Sequence, residues 1–179
     1  VVELANDIVF DDATSAEWEP IGNVLADGTT NYFHGIFDGK GFAIKNWKTS
    51  LPLFDFTGGG STVQNLTIDA SCTIAFKDDA DGAMGAIAGY HKGLMTNCHN
   101  NANVTLSGAW AQNARVGGLV GRLNEGHIVD CTMNGNVTAD NTYLCDGSVY
   151  LGGLVGANTN ANGVIKNSQM KGNVTFNGG

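Results

Sequence analysis

Residues 116–138 read V-G-G-L-V-G-R-L-N-E-G-H-I-V-D-C-T-M-N-G-N-V-T, and residues 151–175 repeat the pattern as L-G-G-L-V-G-A-N-T-N-A-N-G-V-I-K-N-S-Q-M-K-G-N-V-T. Residues 84–105 are a more diverged copy. Self-similarity at about 32 to 37 residues marks a chain of stacked units, because a unit of that size cannot close a hydrophobic core alone. This period limits the fold more than composition does.

Within the period, an apolar residue, any residue, Asn or Asp, then an apolar or small residue recurs. The instances are Ile44-Lys45-Asn46-Trp47, Val63-Gln64-Asn65-Leu66, Met95-Thr96-Asn97-Cys98, Ile128-Val129-Asp130-Cys131 and Ile165-Lys166-Asn167-Ser168. Leu53, Ile87, Leu119 and Leu154 form a second column before four of them. Gly93 to Thr105, Gly126 to Thr138 and Gly163 to Thr175 keep one constant spacing, so length varies only between these segments. Strands must hold register with their neighbours, so insertions go to corners. The pattern predicts an all-β, right-handed parallel β-helix-like solenoid of about five rungs spaced about 4.8 Å apart. Like residues then stack on like, with the apolar column inside and the Asn column at a corner, where Asn tolerates the left-handed bend. Trp18 and Ile21 are expected to plug one end, which divides the single domain into capping strands and a turn over 1–45 and solenoid repeats over 46–179. The run Phe33 to Ile44, with the turn dipeptide Asp38-Gly39 followed by Gly41, reads as a hairpin or tight corner.

Composition agrees with strands and tight turns. There are 26 Gly residues, and charged residues make up only 15% of the chain. The net charge of −8 gives no electrostatic footprint for nucleic acid or an anionic membrane. No apolar run approaches the roughly 20 residues of a helical membrane span, so direct membrane insertion is not expected. The chain starts at Val1 without Met, as a processed or excised piece would.

Candidate chemistry is sparse. Gly117-Gly118 and Gly152-Gly153 precede no helical pattern, so they suit a close-packed corner rather than a dinucleotide loop. Asp78, Asp79 and Asp81 form an acidic loop that could contact calcium weakly, but Lys77 and Ala88 occupy key ligand positions of an EF-hand. Asp55 and Asp69 are candidate paired carboxylates for glycoside hydrolysis, with no recurring Arg or Lys partner. His34, His91, His99 and His127 share no repeat position and read as surface histidines. Cys98 and Cys131 do share one, and parallel Cβ vectors at rung spacing favour a buried free-thiol ladder over a disulfide. Cys72 and Cys145 fall outside the columns. The sequons at Asn65, Asn103, Asn136 and Asn173 belong to the repeat pattern or its edge and are explained by folding. No cofactor motif is present.

Gly117-Gly118-Leu119-Val120-Gly121, followed by Gly126, Ile128, Asp130-Cys131 and Gly135-Asn136-Val137-Thr138, resembles the GLUG motif of bacterial surface proteins. That motif is found in repeat-bearing adhesins and in non-catalytic regions of IgA-peptidase-like proteins. Trp18-Glu19-Pro20-Ile21-Gly22-Asn23 is similar to the start of such domains in secreted proteins of Bacteroides and related gut bacteria. The resemblance covers most of the chain. It implies a parallel solenoid on a cell surface with an adhesive role, and it carries no catalytic residues.

The expected function is therefore a non-catalytic adhesin or binding and scaffold module, located outside the cell or on its outer surface. Its partner would be a host or matrix protein or a glycan. Contact is expected through a solenoid face or the variable loops 75–82, 107–115 and 139–150, with Trp110, Tyr143 and Tyr150 as aromatic anchors. A carbohydrate-active β-helix enzyme and a purely structural stalk are the alternatives.

Overall fold

A computed structural model of the chain describes residues 1–77, 82–108, 113–141 and 147–178. They wind as a parallel β-solenoid of about five turns. The first wall stacks Val2–Glu3, Ile36–Asp38, Thr62–Gln64, Leu94–Thr96, His127–Val129 and Val164–Lys166. The second stacks Ile8–Val9, Ala43–Lys45, Thr67–Ile68, His99–Asn100, Thr132–Met133 and Gln169–Met170. The third stacks Lys48–Thr49, Thr73–Phe76, Val104–Ser107, Val137–Asn141 and Val174–Gly178. A fourth sheet (Gly82–Gly85, Ala114–Gly117, Val149–Gly152) and a fifth (Phe54–Thr57, Ala88–His91, Val120–Leu123, Val155–Asn158) complete the circuit. Helix among the described residues is limited to Asp12–Ala16, and the one antiparallel pair joins Asn23–Val24 to Thr30–Asn31.

Columns of like residues fill the interior. Phe37, Val63, Met95 and Ile128 stack along the first wall. Leu53, Ile87 and Leu119 form a second buried column, linked by backbone hydrogen bonds from rung to rung. Each such aliphatic side chain removed from water contributes about 1.5–3 kcal/mol, which offsets the ordering of short strands that have little stability singly. The second wall has one polar core member. Asn100 occupies the column of Ile68 and Met133, fully buried, where it donates to the Gly118 carbonyl and accepts from the Ala102 amide.

The corner after the first wall is built by residues with left-handed backbone. Asn65, Asn97, Asp130 and Asn167 have φ of 55°, 51°, 54° and 50°. Asn97 donates its amide to Asn65 across 2.9 Å, and Asn65 donates to the Asp38 carboxylate across 2.9 Å. Hydrogen bonds from the Asn65 and Gln64 side chains and the Lys40 backbone amide hold the Asp38 carboxyl below the usual carboxylate range. One expected member of this column sits elsewhere. Ile44 pairs with Ile68 on the second wall rather than with Val63, so Asn46 turns a different corner and donates its backbone amide to the Ser71 hydroxyl. The column's member one rung before Val63 is Phe37, with Val2 before it, and Phe37 leads into a tight corner at Gly39 to Phe42.

The Gly-Gly-x-x-Gly element is a close-approach device. The fourth and fifth sheets pack backbone against backbone through two glycine columns. A Cβ on Gly121 would lie 2.1 Å from the Met84 amide nitrogen, and one on Gly85 would lie 2.5 Å from the Val120 Cα. Gly117, Gly152 and Gly156 meet backbone atoms in the same way. No side chain larger than hydrogen fits between the sheets.

The N-terminal end is plugged. Phe10, Trp18 and Trp47 form an aromatic cluster with centroids 5.6–5.9 Å apart, and Trp18 donates to the Pro52 carbonyl. The Asp12–Ala16 helix, capped by Asp11 and Thr14, lies against Lys48–Thr49 and closes the third wall. Residues 1–45 thus hold the cap together with strands of the first two walls.

Candidate functional site

Side chains that face outward also stack, because parallel register copies every position onto the next rung. On the fifth sheet, Phe56, Tyr90 and Arg122 share one outward column. The Phe56 and Tyr90 rings stack 4.9 Å apart at 16°, and the Arg122 guanidinium covers the next face of Tyr90 at 5.3 Å. Tyr32 extends the column edge-on to Phe56 at 5.8 Å, with the Lys92 ammonium 4.9 Å from its own ring centre. Cation and quadrupole attract here, so each contact ties one rung to another. The ring faces are spent on one another. What solvent meets is ring edges, tyrosine hydroxyls and two cations, a surface suited to polar contacts rather than to a sugar lying flat on a ring.

Around the next corner, the first wall presents Ile36, Thr62, Leu94, His127 and Val164 in a single register column. Ile36, Leu94 and Val164 are exposed, so apolar side chains alternate with Thr62 and His127 along the rod axis. Between the two columns lies a shallow depression of about 250 Å³ lined by Ser61, Thr62, Lys92, Leu94, Glu125 and His127 with Gly60 and Gly93. Glycines shape this corner: a Cβ on Gly93 would lie 2.2 Å from the Ser61 hydroxyl. Glu125 accepts from Asn160 one rung further along.

Beneath the corner, His91 is fully buried, contrary to its expected surface position. Its Nδ1 lies 2.7 Å from the Thr57 hydroxyl, its Nε2 has no hydrogen-bond partner, and its Cδ2 sits where a side chain on Gly126 would be. Burial lowers its pKa to about 4, so it is neutral at physiological pH. Asp55, half-buried in the fifth sheet, is pushed up to about 6 by burial. Asp69 follows a second-wall strand instead, where Ser71 hydrogen bonds lower its pKa and Lys45 adds to the effect. The two carboxylates therefore stand on different sheets.

Cys98 and Cys131 are buried free thiols in adjacent rungs, with the Cys98 amide directed at the Cys131 sulfur across 3.4 Å. Burial raises the Cys98 thiol well above its usual range. Cys72 is buried too and donates to the Ile44 carbonyl. Tyr150 is exposed, with the Arg115 guanidinium 5.5 Å from its ring centre. Trp110, Tyr143, Cys145, Asp78, Asp79 and Asp81 lie outside the described residues. The aromatic column was overlooked in the sequence because Phe56 and Tyr90 lie beside, not within, the recognisable motif. The signal was present: each stands two residues after the core positions Phe54 and Ala88.

Residues 112–138 match the family described as the GLUG motif. The chain is 32% identical to immunoglobulin A1 protease of Streptococcus sanguinis over 157 residues, which is 81% of this chain and 8% of that protein. It is 31% identical to immunoglobulin A1 protease of Streptococcus pneumoniae strain R6 over 145 residues, again 81% of this chain and 7% of the other. It is 35% identical to halomucin of Haloquadratum walsbyi over 104 residues, 54% of this chain and 1% of that protein. The chain thus carries a GLUG repeat and spans less than a tenth of these relatives, which come from Streptococcus and an archaeon rather than from Bacteroides. No solved structure matches it.

Proposed function

We propose that this chain is a non-catalytic binding and scaffold module of an extracellular or cell-surface protein, with an adhesive role. The observation that carries this reading is the side of the rod where a column of alternating apolar and polar side chains and a cation-bearing aromatic column run in register over several rungs. A rigid ladder repeats its contact groups at about 4.8 Å, so it suits an extended partner such as a glycan chain or a matrix-protein segment. The similarity to parts of much longer proteins supports a modular role. A glycan array and a pulldown on host matrix proteins test this, using the native chain beside Leu94→Asp and Lys92→Glu. Specific binding that both substitutions weaken supports the reading. Clean negatives in both assays sink it and leave a mechanical spacer.

A further inference from the structure

Asn-Gly steps occur in the chain at Asn134-Gly135, Asn162-Gly163 and Asn177-Gly178. In such a step the second residue has no side chain to shield its own amide nitrogen from the asparagine carboxamide. The fold treats these steps differently. Asn134 is tied to the rung before it: its backbone amide donates to the Asn100 carbonyl across 2.8 Å, and its side-chain amide donates to the Asn101 carboxamide oxygen across 2.5 Å. Gly135 is wedged in place, since a Cβ there would lie 2.1 Å from the Ala102 carbonyl oxygen. Asn177 and Gly178 are strand residues paired with Asp140 and Asn141, and the Asn177 side chain donates to the Asp140 carboxylate. Asn162 belongs to no strand. It is exposed in the turn that joins Val155–Asn158 to Val164–Lys166. Its backbone amide donates to the Asn160 side chain across 2.9 Å, while its own carboxamide takes part in no hydrogen bond among the described residues. That exposure belongs to the corner and not to the end of the chain. Glu125 precedes Gly126 as Asn162 precedes Gly163, and it is exposed although another rung follows it.

We propose that Asn162 is a site of self-modification, a backbone-assisted deamidation that loosens the corner carrying it. The Gly163 amide nitrogen gives up its proton and bonds to the Asn162 side-chain carbonyl carbon. The bond from that carbon to the carboxamide nitrogen breaks, and ammonia leaves with the proton. One water molecule then opens the resulting succinimide. Opening at the side-chain carbonyl gives aspartate, and opening at the main-chain carbonyl gives isoaspartate, whose main chain runs through the former side chain. Ring closure needs the reacting atoms within about 3–3.5 Å of each other. A turn outside the sheets lets Asn162 rotate into that geometry by giving up one local bond, from the Gly163 amide to the Asn160 carbonyl. At Asn134 and Asn177 the same rotation breaks bonds between rungs.

The corner that carries Asn162 also clamps the neighbouring rung. The Thr159 hydroxyl accepts from the Arg122 guanidinium across 2.8 Å, the Thr159 amide donates to the Leu123 carbonyl across 3.0 Å, and Asn160 donates to Glu125 across 3.0 Å. A carboxylate at position 162 stands in register with Glu125, about 4.8 Å along the axis, and like charges repel. Isoaspartate adds one carbon to the main chain of the turn. Both products weaken the clamp and free the Arg122 cation on the aromatic column. This chemistry is independent of what the side of the rod binds.

Incubation of the native chain in mildly alkaline buffer made with heavy-oxygen water tests the proposal, read by peptide mass spectrometry with fragmentation that separates aspartate from isoaspartate. The expected result is both products at Asn162, each carrying one solvent oxygen, formed at least roughly tenfold faster than any product at Asn134 or Asn177. In denaturant the rates at these steps should converge, which separates the effect of the fold from that of the dipeptide. Gly163→Ala should slow the reaction at Asn162 roughly tenfold with the circular dichroism spectrum unchanged, because the added methyl crowds the attacking nitrogen. In the modified chain the Thr159 amide should exchange its hydrogen faster than in the unmodified one. Equal rates at these steps in the folded chain overturn the proposal. So does aspartate without isoaspartate, which marks direct hydrolysis, and so does a Gly163→Ala chain that reacts at the native rate. An unchanged Thr159 amide overturns the loosening of the clamp.

Discussion

The rung at 114–139 and the rung at 149–176 share a motif, a strand register and the same inward-facing columns, yet one is buried and the other largely exposed. Ile128 and Ile165 occupy equivalent places with opposite accessibility. The motif therefore fixes which way a side chain points, while burial comes from the rung above. Stability in such a chain is a sum of neighbour contacts rather than a property of each repeat.

Substitutions can break this comparison. The largest effect is expected for Gly121→Ala, whose Cβ would meet the backbone of Ala83 and Met84; it should cost about 4 kcal/mol or more by chemical denaturation. Gly163→Ala in the last rung meets only the movable end of Asn158 and should cost under about 1 kcal/mol. Equal costs would show that the sheet contact is not what the glycines protect. Next, Ile128→Ala should cost about 3 kcal/mol and Ile165→Ala less than about 1 kcal/mol, since only the first leaves a cavity.

Acid titration sharpens the same contrast, because both strongly shifted groups lie in inner rungs. The His91 pKa falls from 6.5 to about 4 on folding, so the unfolded chain binds the extra proton. Its contribution is fully present above pH 6.5 and is lost as pH drops toward 4, on the order of 3 kcal/mol. Asp55 works the other way: its pKa rises from 3.8 to about 6, so its contribution is present at low pH and lost as pH rises through that window. His91→Leu, matching Leu123 in the same column, should remove the acid loss and leave a protein that gains stability from pH 6 toward 4. Denaturant midpoints measured across that range check the slope, and an unchanged profile would contradict a buried neutral His91. The smallest effect is at the Asn corner. Asn97→Ala should cost about 1–2 kcal/mol and Asn97→Gly less, because glycine keeps the left-handed turn and loses only the amide bond.

The fold was legible because parallel stacking writes register directly into sequence. Gly93, Gly126 and Gly163 keep constant spacing to Thr105, Thr138 and Thr175, and the structure pairs those threonines on the third wall. The first turn misled because the local pattern at Ile44 to Trp47 copies that at Val63 to Leu66, although the chain has already passed one corner by Ile44. Local pattern alone cannot distinguish one corner from another. The outward face was harder to see. Tyr90, Arg122 and Lys92 share no residue type, and a cation on a ring becomes visible only when rungs are stacked. His91 was hidden for a related reason: Thr57, His91 and Leu123 form a column without chemical likeness.

Hydrogen exchange read by mass spectrometry tests most directly the claim that burial comes from the adjacent rung. Amides of Val120–Leu123 and His127–Val129 should exchange near the rate set by global unfolding, and those of Val164–Lys166 and Val174–Gly178 far faster, despite the shared motif. Equal protection in the two rungs would contradict the account, because it would mean that each repeat stabilises itself.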